Sequence, residues 1–106
     1  MSVISLVEYR YVGCFKDTGT DRAIQSLEGA CSILDGKSWN RVDVINKCYR
    51  CSKSKGFSIF ALQAGGDCMG DDSGTYAKHG KSEVCKDGKG GGWANDVYVI
   101  KHDTGR

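Results

Sequence analysis

The stretch RVDVINKCYRCSKSKGFSIFALQ, residues 41–63, decides the fold class, because it changes hydrophobic period once and at a glycine. Val44, Ile45, Cys48 and Cys51 fall at i, i+1, i+4 and i+7, a single apolar stripe of helical period. The spacing predicts a helix over residues 41–55, with Asn40 as N-cap and Asp43 in the first turn, where the helix dipole favours negative charge. Gly56 stands where a helix-ending C′ glycine belongs. Beyond it, Phe57, Ile59, Phe60 and Leu62 form a strand over residues 57–63, bounded by Gly65 and Gly66.

Towards the amino terminus, residues 8–15 read as a strand through Tyr9, Tyr11 and Val12. Residues 16–20 form a turn-rich loop around Asp17 and Gly19, residues 22–27 a short extended piece, and Asp35-Gly36 a tight turn. Towards the carboxyl terminus, residues 70–92 read as loop, rich in Gly, Asp and Lys and pinned by Cys85. Residues 95–101 make the third strand through Val97, Tyr98, Val99 and Ile100, and residues 102–106 a frayed tail. The order strand, helix, strand, long loop, strand predicts a small α+β domain, one main helix packed on a short antiparallel sheet.

The 106 residues suffice for a single domain, yet 15 are Gly and mean hydropathy is −0.40, so the core is thin. Six Cys supply the missing constraint: Cys14, Cys31, Cys48, Cys51, Cys68 and Cys85. An even count in a short Gly-rich chain indicates disulfides and an oxidising, extracellular compartment. The favoured pairing is Cys48 with Cys68, tying the helix to the end of the next strand, with Cys31–Cys51 and Cys14–Cys85 completing the set. Cys48 and Cys51 also fit a redox or zinc pair. But they lie in the second half of the helix, away from the end that activates thiols, and no second close Cys pair exists to complete a zinc site.

Residues 1–6 are too short for a signal peptide, so the sequence reads as the mature form of a secreted chain. No apolar run approaches the roughly 20 residues that a membrane span requires. The charge of +2 arises from 15 basic and 13 acidic residues mixed along the chain, without the basic face that nucleic acid needs. Lys47, Arg50, Lys53 and Lys55 spread over a solvated helix surface. No catalytic motif surrounds His79 or His102, and no spacing singles out a carboxylate pair, so no enzyme is expected.

Aromatic and planar polar groups beside a Gly-rich loop suggest a sugar site instead. Trp93 and Tyr76 offer ring faces, while Asn95, Asp96 and Lys81 offer hydrogen-bonding groups. Trp93 could equally be a core aromatic. Asp71 and Asp72 are the calcium candidates, as hard oxygen donors, although no cofactor is required.

Four stretches together resemble the WSC domain, a cysteine-rich module of secreted and cell-surface proteins. They are Tyr11-Val12-Gly13-Cys14-Phe15-Lys16-Asp17 with Arg22-Ala23-Ile24; Cys48 to Phe57 through Gly56; Phe60 to Gly70 with Leu62-Gln63 and Gly66-Asp67-Cys68; and Gly91-Gly92 with Asn95-Asp96-Val97-Tyr98. The resemblance spans about residues 9–101 of a single domain. It departs in Cys count, since the family usually carries eight, with a Cys at the position of Gly70 and another at that of Gly90, whereas Cys31 is additional here. The resemblance implies carbohydrate binding to cell-surface or cell-wall glycans. A free-standing domain would then act as a lectin, and agglutination would require a homodimer or larger assembly. The competing expectation is a disulfide-stapled extracellular protein-interaction or inhibitor module.

Overall fold

The structure, a computed structural model, describes residues 8–101. The expected tail at 102–106, with His102, and residues 1–6 lie outside the described residues.

The helix, α1 (Val44–Ser54), begins three residues later than the spacing predicts. Asn40 is not its cap; it closes a short 3-10 turn, Ser38–Asn40, after which the chain is extended at Arg41. The Arg41 guanidinium is the cause. Its side chain is 1% exposed and is held by both Glu28 carboxylate oxygens at 3.0 and 2.7 Å and by the carbonyls of Leu34, Asp35 and Gly66. Holding that group inside leaves Asp43 as the N-cap, with left-handed backbone (φ 55°) and no capping bond from its side chain. The helix ends as expected. The Gly56 N–H donates to Lys53 O and the Phe57 N–H to Ser52 O, a Schellman motif that needs the positive φ (78°) of Gly56.

Four strands form one antiparallel sheet: β1 (Tyr9–Lys16), β2 (Ile59–Gln63), β3 (Asp67–Asp71) and β4 (Ala94–Ile100), in the order β1-β4-β2-β3. Sequence periodicity foresees β1, β2 and β4 but not β3. Asp67-Cys68-Met69-Gly70-Asp71 carries no strong strand former, and tertiary pairing with β2 imposes the conformation. The outer edge of β3 is in turn covered by the extended piece at 25–27, through Leu27 N–H to Cys68 O and Gly70 N–H to Gln25 O.

Strand alternation sorts the core onto two faces. The helix covers Phe60, Leu62, Cys68, Tyr98 and Ile100, with Phe60 and Tyr98 stacked at 4.8 Å. The opposite face carries Phe15, Ile59, Ala61, Met69 and Val97 and is covered by Ala23 and Ile24 and, at its margin, Tyr76. The domain is therefore helix, sheet and a layer of loops. Three disulfides staple these layers, Cys48–Cys68, Cys31–Cys51 and Cys14–Cys85, the same pairs that the spacing favours. Among the described residues no helix is long and apolar enough to cross a membrane.

Candidate functional site

At the start of β4 the chain turns tightly, with Gly91 and Ala94 exchanging two backbone hydrogen bonds around Gly92 and Trp93. Gly90, just before this turn, has φ 79°, and a Cβ there would lie 2.2 Å from Leu62 O, so only glycine fits. Trp93 itself has φ 49°, an unusual conformation for a bulky residue, and leaves 55% of its surface exposed. Its carbonyl accepts the Asp17 N–H at 2.9 Å. Its ring lies over Gly19, where a Cβ would meet Cη2 at 2.9 Å, and the Arg22 guanidinium carbon stands 5.8 Å from the ring centroid. Asp17, Thr18, Gly19 and Trp93 line an open cavity of about 420 Å³.

The loop under Trp93 is fixed by Asp17. Its carboxylate, fully buried, accepts the N–H groups of Thr18 and Ala23 through Oδ1, and Arg22 Nε and Gln63 Nε2 through Oδ2, at 2.8–2.9 Å. Burial pushes its pKa up, but the Ala23 N–H, the Arg22 guanidinium and the Thr18 N–H outweigh it and hold the carboxyl below its ordinary value. Gln63 Nε2 also donates to Asn95 Oδ1 at 2.9 Å, while Asn95 Nδ2, buried, has no partner among the described residues. A polar chain thus runs from the Trp93 loop to the middle of the sheet.

The five residues expected to form one sugar site do not converge. Asn95 and Asp96 are neighbours in β4 and so point to opposite faces, and both are buried, at 0% and 1% exposure. Asn95 supports the Trp93 loop through Gln63. Asp96 lies on the helix side, accepting Tyr11 OH at 2.6 Å and the Gly90 N–H at 2.9 Å. Tyr76 packs edge-on against Phe15 at 5.2 Å, and exposed Lys81 pairs with Phe15 at the β1 edge. Neither lines the Trp93 cavity. Of the expected set, Trp93 alone lines this cavity. Asp17, Thr18, Gly19 and Arg22 are the partners that sequence spacing overlooks; their one sequence signal is membership of the stretch that opens the WSC resemblance.

Asp71, the expected calcium donor that ends β3, and Asp72, which follows it, each accept a backbone N–H. Asp71 Oδ1 accepts the Ser73 N–H at 3.1 Å and Asp72 Oδ1 the Ser58 N–H at 2.7 Å, so each closes a loop. Cys14, Cys85 and Asp96 lie close together, but the two sulfurs are bonded to each other and supply no thiolate.

Comparison with known proteins finds no matching family model and no matching curated protein.

Proposed function

We propose that the protein is a secreted carbohydrate-binding module, a lectin without catalytic activity, whose ligand packs on Trp93. The observation that carries this is the indole itself. A chain with a thin core leaves a large aromatic side chain 55% exposed, in a backbone conformation that costs roughly 1–2 kcal/mol. Such strain persists where surrounding structure enforces it, and it concentrates at ligand-binding positions. Here the Asp17 N–H, the Gly19 platform and the Asp17 network hold the ring in place. An indole fixed in this way offers its apolar face to the C–H face of a pyranose, with the Thr18 region and Arg22 beside it for hydroxyl groups.

The WSC resemblance adds to this, since its opening stretch supplies Asp17 and Arg22 and its closing stretch leads into and out of Trp93. The three disulfides fit an extracellular setting. One shallow site binds weakly, so agglutination would depend on a homodimer. The protein-interaction reading is favoured by Trp39 and Val42, exposed at 71% and 70% near the start of α1.

The test is a glycan-array screen of the oxidised protein, with calcium and with chelator, beside Trp93→Ala. The expected result is selective binding to one class of terminal sugar, unchanged by chelator and lost in the variant. A blank array at high protein concentration would favour the protein-interaction reading.

A further inference from the structure

On the helix side of the sheet, Tyr11, Cys14, Glu83, Cys85, Asp87, Gly88, Asp96 and Tyr98 enclose a second open cavity of about 420 Å³. Its floor carries Asp96, only 1% exposed, and the two oxygens of that carboxylate take one neutral donor each, the Tyr11 hydroxyl and the Gly90 N–H. Among the described residues no Lys, Arg or His forms an ion pair with Asp96, Glu83 or Asp87. A buried carboxylate without a cationic partner is costly, and such groups are ordinarily paired. Two phenol rings complete the wall: Tyr11, 53% exposed, and Tyr98, their centroids 5.4 Å apart and their planes inclined at 64°. The Tyr98 hydroxyl is anchored on Gly88 O at 2.7 Å, which fixes the ring.

We infer that this cavity is a binding site for an organic cation of the primary-ammonium type, separate from Trp93. The ammonium group would take its place among Asp96, Glu83 and Asp87, with its carbon skeleton against the exposed Tyr11 ring. Each feature has its counterpart in the ligand. Carboxylates accept the three N–H donors of an ammonium group, and aromatic faces attract cations and pack on methylene groups. A bare metal ion fits less well. The cavity far exceeds an ion in size, and four of its seven named side chains are rings or disulfide sulfurs.

The experiment is a titration of the ¹⁵N-labelled oxidised protein, followed by amide chemical shifts, with n-butylammonium, glucosamine, glucose, N-acetylglucosamine and calcium in parallel. Mildly acidic conditions keep both amines protonated. The amides of Gly88, Gly90 and Tyr98 should move saturably with butylammonium and glucosamine and not with the two neutral sugars. Glu83→Gln combined with Asp87→Asn, both exposed positions, should weaken ammonium binding by about five- to tenfold while the remaining spectrum is retained. Equal response to neutral sugars, response to calcium alone, or no shift with either amine would overturn the assignment. The Trp93 indole signal reports the other site separately, so the failure of one reading is distinguishable from the failure of the other.

Discussion

Trp93 and Asp17 divide the labour of the proposed site between presentation and support, and substitutions should separate the two. Trp93→Ala removes a ring that is already 55% exposed, so stability should change by less than about 1 kcal/mol while glycan binding is lost. Asp17→Asn removes a buried charge on which four donors converge and should cost about 2–4 kcal/mol at neutral pH, read by denaturant unfolding. The same residue sets a pH dependence. Its folded pKa lies below the ordinary 3.8, so its stabilisation is complete above that value and is lost as pH falls through the lower folded one. Glu28 acts in the same direction from 4.5, because the Arg41 guanidinium and the Cys68 N–H overcome the effect of burial. Melting temperature should therefore fall steeply below about pH 4, and less steeply in Asp17→Asn. The sequence places Trp93, Asn95 and Asp96 in one site, whereas the sheet leaves Trp93 exposed and buries the other two. Asn95 and Asp96 look like a sugar-binding pair only while strand alternation is ignored; period two already sends them to opposite faces. Asp17 was not legible as the organiser, because its donors come from Thr18, Arg22, Ala23 and distant Gln63, which only the folded sheet brings together.

At the scale of elements, the helix and the strand after it were readable because period and termination signal agree at Gly56. The start of the helix was not, since Arg41 is drawn inward by Glu28, 13 residues earlier, and by Gly66, 25 residues later. β3 was invisible for a related reason: Gly70 is chosen for contact, not for strand propensity. A Cβ there would stand 2.6 Å from Ser52 Oγ, 2.9 Å from Leu27 Cδ1 and 3.1 Å from Ile59 O, wedged between α1 and the sheet. Gly70→Ala should therefore cost about 1–3 kcal/mol. Ser52 Oγ is buried without a partner among the described residues, so Ser52→Ala should be neutral or stabilising by up to about 1 kcal/mol, and it should relieve part of the Gly70→Ala cost. Thermal melts of the two single variants and the double variant measure that coupling.

For the whole molecule, disulfides do what a larger core would otherwise do. Cys14–Cys85 spans 71 residues, against 20 for each of the other two, so its removal by paired Ala substitution should cost about 4 kcal/mol, against about 3 for either short bridge. Denaturant unfolding of the three paired variants would rank them. The long bridge also joins β1 to the loop that leads towards Trp93, so losing it should loosen that loop as well as the fold. Presentation of Trp93 to a glycan remains the claim on which the functional account turns. Its most direct test is to follow the two indole N–H signals, from Trp39 and Trp93, while the ¹⁵N-labelled oxidised protein is titrated with the sugars an array selects. The account predicts a saturable shift of the Trp93 signal with that of Trp39 unmoved; a stationary Trp93 signal under saturating sugar would contradict it.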